Sequence, residues 1–366
     1  KRMHSKRGRG PLYISVQLLV ANLDRLPFST PSMSFSDLIL SAFLSILSIL
    51  ARFFHRLRRA IRRLHPPPMI RTANYHFLRS CPYTCQYCFY PDTNSSFLPL
   101  PVALRGLRLL RAAGFSKITF SGGEPFMHPK HLAAMVRACK EEMGFPVVSV
   151  VTNGALVREA WMEENGWAVD VMSVSCDSFV VETNVRIGRA KGERDRGHVE
   201  RVFKLREWCA KQGVVFKLNT TVSKANAWED MREPVQALKP QRWKVFQCLP
   251  VPGENCGEGA PRDASDLFIT QQEYAEFLAR HEGLCSDVAT IPEPNVLMRN
   301  SYCIVDQNMS ILRNDDERKI PTRSILEVGV EAALEEAKLD VTSFKARGGE
   351  YKVVRPAACG ASVPDW

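Results

Sequence analysis

From residue 69 onward, short apolar runs alternate with longer stretches of helical periodicity. The strand-like runs are Thr72–Leu78, Lys117–Ser121, Val147–Thr152, Asp170–Ser175, Val214–Thr220 and Arg242–Gln247. Between them the spacing predicts helices over Val102–Ala113, His128–Met143, Ala155–Asn165, Val199–Lys211 and Ala227–Leu238. Six β/α units in succession predict an α/β fold: parallel strands closing into a partial (βα)6 barrel, open on one side, with its chemistry at the C-terminal strand ends. Beyond residue 248 the periodicity weakens. Two further helical stretches, at 272–282 and 324–337, are expected to cap the open side.

The pattern before residue 69 is of another kind. Polar residues fall at Asp37, Ser41, Ser45, Ser48, Arg52, Arg56, Arg59 and Arg63, in steps of three and four, with Leu, Ile and Phe filling the rest. That is one narrow polar stripe along an amphipathic helix, ended by Pro66, Pro67 and Pro68. The apolar stretch before Arg52 is short for a spanning helix, which needs about 20 residues. A helix lying in a membrane surface through residues 35–65 fits better, with its arginines on anionic headgroups. A spanning anchor and a mitochondrial transit peptide are the alternatives. Met33, just before this run, is the expected start residue.

Charge sharpens the division. The net charge of +10 invites a nucleic-acid reading until it is located. Residues 1–68 hold twelve Lys and Arg and two Asp, which is +10 by themselves. The remaining 49 − 12 = 37 basic and 39 − 2 = 37 acidic residues cancel. The body has no bulk positive field for a polyanion, so no direct nucleic-acid partner is expected. The chain therefore divides into a basic, disordered leader (1–34), the membrane helix with its proline linker (35–68), the barrel (69–247) and the capping extension (248–366).

Candidate chemistry begins just after the first strand. Cys81, Cys85 and Cys88 are spaced C-x3-C-x2-C, with Tyr87 and Phe89 flanking the last. Structural zinc takes four ligands, and no second C-x2-C pair occurs. Eleven cysteines, an odd number, without a secretory cleavage pattern argue against a disulfide scaffold. Three thiolates suit three irons of a [4Fe–4S] cube, leaving the fourth open to bind a substrate. After the second strand comes Ser121-Gly122-Gly123-Glu124-Pro125. Paired glycines let backbone approach a ligand, and the glutamate can accept from an ammonium group.

The cysteine triplet and the GGEP turn together resemble the radical S-adenosylmethionine superfamily. The resemblance implies that Cys81, Cys85 and Cys88 hold a [4Fe–4S] cluster. It implies that Gly122, Gly123 and Glu124 receive the methionine end of S-adenosylmethionine, which yields a 5′-deoxyadenosyl radical. Further stretches narrow the likeness to the viperin family of antiviral enzymes: NYHF (74–77), SCDSF (175–179), NVRIGR (184–189), RWKVFQC (242–248) and GENCGE (253–258), with Asp365-Trp366 at the end. That family converts a nucleoside triphosphate such as CTP or UTP to its 3′-deoxy-3′,4′-didehydro form, a chain terminator.

By position, the resemblance assigns Lys117, Lys217, Arg242 and Lys244 to the triphosphate, and Asn74 and Asn219 to the nucleotide. It assigns Asn153, Ser175 and Arg189 to S-adenosylmethionine, Arg189 to its carboxylate, with Tyr87 and Phe89 beside the cofactors. Tyr302 is the candidate proton donor to the ribose radical. Arg242 and Lys244 alternate along one strand and so face one side. The resemblance also implies residence on the cytoplasmic face of the endoplasmic reticulum and on lipid droplets. Trp366 would be a handle for the cytosolic iron–sulfur assembly machinery. One departure is acidic: Arg313 is followed by Asp315, Asp316 and Glu317, where the family carries a basic loop. A cyclase or peptide-modifying enzyme of the same superfamily, and an inactive membrane scaffold, are the competing readings.

Overall fold

The computed structural model describes residues 70–356, apart from residue 95 and the segments 285–287 and 315–318. The leader, the amphipathic helix, the acidic run at 315–317 and Trp366 lie outside the described residues.

Six parallel strands follow the expected order: β1 (Thr72–His76), β2 (Lys117–Ser121), β3 (Val147–Thr152), β4 (Val171–Ser175), β5 (Val215–Val222) and β6 (Arg242–Gln247). The crossover helices are α1 (Leu100–Ala112), α2 (Pro129–Glu141), α3 (Glu159–Asn165), α4 (Val181–Arg186), α5 (His198–Lys211) and α6 (Arg232–Leu238). Helix α1 buries Ala103, Gly106, Leu107 and Leu110, a stripe at helical spacing. The 155–165 stretch begins its helix only at Glu159, and the 227–238 stretch only at Arg232. The short α4 carries no periodic signal, being less than two turns long.

The chain after residue 248 does more than cap. Helix α7 (Gln271–Arg280) leads to β7 (Ala289–Glu293), which pairs parallel to β6. After the single turn α8 (Asn295–Met298), β8 (Ile304–Val305) pairs parallel to β1 on the opposite edge. An antiparallel extension, β9 (Ser310–Asn314) and β10 (Lys319–Ser324), follows β8. The sheet order is β10-β9-β8-β1-β2-β3-β4-β5-β6-β7. The two outermost strands each contain a proline, Pro292 and Pro321, which a central strand would not tolerate. Helices α9 (Ile325–Val328), α10 (Val330–Ala337) and α11 (Val341–Ala346) complete the described fold. The expected 324–337 helix is two, broken at Gly329, whose φ is +81°.

Strand alternation explains where the site lies. Ile118 and Phe120, Val148 and Val150, Met172 and Val174, Phe216 and Leu218, and Trp243 and Val245 belong to one buried apolar core. Their neighbours Lys117, Thr119, Ser149, Ser173, Lys217, Asn219 and Lys244 line an interior cavity instead. A two-residue period thus sends apolar side chains under the helices and polar ones into the barrel.

Candidate functional site

One cavity of about 340 Å³ runs through the barrel. At the C-terminal strand ends it is lined by Cys81, Cys85, Cys88, Phe89, Gly122, Gly123, Asn153, Ser175 and Arg189. At the N-terminal ends it is lined by Thr72, Lys117, Lys217 and Tyr351. From Lys117 to Gly122 along β2 is roughly 16 Å at a strand's rise. The expected confinement of the chemistry to the C-terminal ends is therefore only half met: the cations sit at the other end.

The cysteine loop is held by backbone. Thr84 and Gln86 donate their N–H groups to the carbonyls of Gly188 (3.0 Å) and Ile187 (3.1 Å). A Cβ on Gly188 would lie 2.4 Å from the Thr84 oxygen, so only glycine fits there. All three thiols are free and partly accessible. Burial raises the pKa of Cys81, Cys85 and Cys88 above the ordinary thiol value, Cys85 to about 12. Three thiolates at this spot need positive charge between them, which a metal centre supplies. Among the described residues no three His, Cys, Asp or Glu converge tightly enough for a single ion. Three thiols spread around one cavity suit a polynuclear cluster and not mononuclear zinc.

The GGEP turn packs against the chain that leads into the cysteine loop. Gly123 and Glu124 donate their N–H groups to the carbonyls of Leu78 and Ser80, each at 2.8 Å. A Cβ on Gly123 would meet the Ser80 oxygen at 2.1 Å. The glycines thus let the turn pack on the chain leading into Cys81 while still lining the cavity. Glu124 is fully buried and does not line it. Its carboxylate accepts from Thr152 Oγ1 (2.7 Å), the Asn153 N–H (2.7 Å) and the Phe126 N–H (3.1 Å). Its carboxylate is thus engaged by the protein's own donors, while Gly122 and Gly123 of the same turn face the cavity. Burial also lifts its pKa to about 7. Asn153, so fixed, places its Nδ2 3.5 Å from Cys81 Sγ.

Arg189 also has a partner the sequence did not reveal. Its Nε donates to Asp177, to which the Tyr87 hydroxyl donates as well. Arg189 NH2 lies 3.0 Å from that hydroxyl, and Asp177 also accepts the Thr221 N–H at 2.7 Å. Arg189 is thus anchored by a carboxylate of the protein while still lining the cavity. Asp177 lay inside the SCDSF stretch, which was its only signal.

At the other end, Lys117 Nζ and Lys217 Nζ lie 2.6 and 3.1 Å from the Tyr351 hydroxyl. Burial lowers both lysines, Lys117 to about 7. Arg242, expected at the triphosphate, does not line the cavity. Its guanidinium sits 4.0 Å from the centre of the Tyr351 ring and donates to the Gly348 carbonyl at 3.2 Å. Arg347 lines the cavity in its stead, packed 3.4 Å over the Tyr302 ring. Lys244 pairs with the fully buried Glu293 and donates to Tyr302 Oη at 3.1 Å. Tyr302 donates to Glu293 Oε2 at 2.9 Å. Burial beside that carboxylate holds the phenol's pKa well above its ordinary value. Glu293, Arg347 and Tyr351 carried no sequence motif.

Between the two ends, Asn74, His76 and Asn219 line the wall. His76 Nδ1 and Asn219 Oδ1 are buried without a hydrogen-bond partner. Orphaned polar atoms on a cavity wall call for a polar ligand.

A parallel barrel with three free cysteines and a glycine turn at one end of its cavity is the architecture of the radical S-adenosylmethionine superfamily, whose sequence pattern matches residues 75–237. Streptococcus suis SuiB bound to S-adenosylmethionine shares the fold, with a TM-score of 0.55 at 15% identity, over 92% of this chain and 78% of that one. Within the superfamily the relationship is much closer. The S-adenosylmethionine-dependent nucleotide dehydratase RSAD2 of Danio rerio is 46% identical over 76% of this chain and 77% of its own length. Its counterpart in Oncorhynchus mykiss is 44% identical over 76% and 80%. The chain belongs to this nucleotide dehydratase family.

Proposed function

We propose that the chain dehydrates a pyrimidine nucleoside triphosphate, CTP or UTP, to its 3′-deoxy-3′,4′-didehydro analogue, as an antiviral-type chain terminator. The observation that carries this reading is one cavity with three thiols at one end and, towards the other, the half-buried Lys117 and the buried Lys217, Lys244 and Arg347. When bound, a [4Fe–4S] cluster and S-adenosylmethionine supply a 5′-deoxyadenosyl radical, which takes the ribose 4′ hydrogen.

The protein's own part is placement and protons. Cys81, Cys85 and Cys88 hold the cluster. Gly122, Gly123, Asn153 and Ser175 surround the cofactor, and the Asp177-held Arg189 lends it a fixed charge. Lys117 and Lys217 engage the phosphates, which need several converging cations. Asn74, Asn219 and the neutral His76 face base and ribose; an amide can serve either pyrimidine. Tyr302 holds a proton beside the ribose, with Lys244 donating to its oxygen. Burial excludes water, so these charges act in a weakly screening medium.

An anaerobic assay of reconstituted protein with dithionite, S-adenosylmethionine and each nucleoside triphosphate tests this. CTP or UTP is expected to stimulate 5′-deoxyadenosine formation; if no triphosphate does so, the reading is wrong.

The reading extends to the cell. The polar stripe in the sequence of residues 35–65 supports attachment to the cytoplasmic face of the endoplasmic reticulum and to lipid droplets, and the Asp365-Trp366 pair supports recruitment of iron–sulfur assembly machinery through Trp366. Deleting residues 33–68 is expected to release the enzyme to the soluble fraction; persistent membrane association refutes the anchor. Trp366→Ala is expected to lower iron content in cells while leaving reconstitution in vitro unchanged.

A further inference from the structure

Tyr351 lies outside every strand and helix, yet three cations meet on it. Lys117 comes from β2, Lys217 from β5 and Arg242 from β6. Both ammonium groups reach its hydroxyl, at 2.6 and 3.1 Å, and stand 4.5 and 4.9 Å from its ring centre. The Arg242 guanidinium covers the same ring at 4.0 Å. Like charges at such range repel, and more strongly away from water. A phenol oxygen and an electron-rich ring face offset that repulsion without adding net charge. Burial raises the Tyr351 hydroxyl to about 12, so it stays neutral.

The placement is built, not incidental. On one side of Tyr351, Arg242 donates to the Gly348 carbonyl. On the other, Gln241 donates to Val354 O at 3.2 Å. Arg355 donates to the carbonyls of Gly213 (3.0 Å), Trp167 (3.0 Å) and Gln212 (3.1 Å). The segment is tied down at both ends, so the phenol cannot drift from the lysines. Each lysine ammonium has three donors, and Tyr351 takes one from each. Two per lysine are left for phosphate oxygens.

We propose that Tyr351 is a positioning residue of the triphosphate site: it braces Lys117 and Lys217 toward the phosphates and relays the charge of Arg242, which does not itself reach the cavity. This rests on the nucleotide reading above.

The test is calorimetric titration of the reconstituted, unreduced enzyme with CTP, UTP and cytidine, beside steady-state kinetics. Tyr351→Phe keeps the ring and its contact with Arg242 but removes the shared acceptor. CTP or UTP binding is expected to weaken roughly tenfold, the scale of one hydrogen bond to a charged group. KM should rise in step, with kcat, melting temperature and cytidine binding unchanged. Tyr351→Leu, which also removes the ring face, is expected to weaken triphosphate binding further. Equal or tighter triphosphate binding by Tyr351→Phe overturns the proposal, as does an equal loss for cytidine. If the wild-type enzyme binds cytidine and triphosphates equally poorly, the nucleotide reading itself fails, which is a separate outcome.

Discussion

The Glu124 carboxylate accepts the Asn153 backbone N–H at 2.7 Å, and Asn153 in turn reaches Cys81 Sγ at 3.5 Å. A buried acid at the end of β2 thus positions an amide at the end of β3 against a cluster ligand. Its second oxygen is saturated by Thr152 and Phe126. Glu124→Gln places an amide N–H opposite at least one of these donors. Loss of one buried bond costs about 1–3 kcal/mol. The expected outcome is a lower urea midpoint together with reduced iron per chain after reconstitution. Wild-type iron content with wild-type stability would mean that Glu124 supports neither.

Asp177 makes a separate prediction. It holds Arg189 and Tyr87 at once, and Asp177 and Arg189 are both nearly inaccessible to solvent. Removing one member of a buried pair leaves the other charge uncompensated, at roughly 3–5 kcal/mol. Asp177→Ala should therefore unfold at markedly lower denaturant. Asp177→Ala combined with Arg189→Met should recover part of the loss, since it removes the stranded charge. A double variant no more stable than Asp177→Ala would show that the ion pair is not the cause.

These partners show what the linear pattern could and could not convey. Strands β2, β3 and β6 lie where their apolar alternation placed them, because half of each strand packs under helices and must be apolar. Strand β8 has two residues, too few for a period, and β7 carries a proline that an edge strand tolerates and an acid that is buried on Lys244. The site divides the same way. Cysteines and glycines follow local spacing and stand out. Glu293, Arg347 and Tyr351 act through contacts with residues far away in the chain; Tyr351 and Lys117 are 234 positions apart. Arg242 stands behind Tyr351 for a related reason: a strand period gives the side it faces, not what comes between it and the cavity.

The lysines make substrate binding depend on pH. Burial, with Arg242 and Arg347 nearby, lowers Lys117 to about 7. A bound triphosphate restores the lysine toward its ordinary value, so between pH 7 and about 10 binding takes up a proton. Affinity must then fall as pH rises above 7. Below pH 7 the lysine is already charged and the dependence fades. Titration at pH 8 in two buffers of different ionisation enthalpy should reveal the uptake. Lys117→Arg, charged throughout, should reduce it; an uptake unchanged in that variant assigns the proton to another group.

Tyr302, on the cavity wall, donates its phenolic proton to Glu293 and accepts from Lys244. Glu293 keeps the phenol from ionising alone, while Lys244 stands ready to stabilise the oxygen once its proton has moved. Tyr302→Phe retains the ring under Arg347 and removes the hydroxyl with its proton. A positioned acid contributes about 10²–10⁴-fold to rate. Formation of the didehydro nucleotide should fall by that order, with KM for the triphosphate little changed. 5′-Deoxyadenosine should continue to form, because hydrogen abstraction precedes the proton's use. If both products fall together, Tyr302 acts earlier, in placing the substrate; if neither falls, the proton comes from elsewhere.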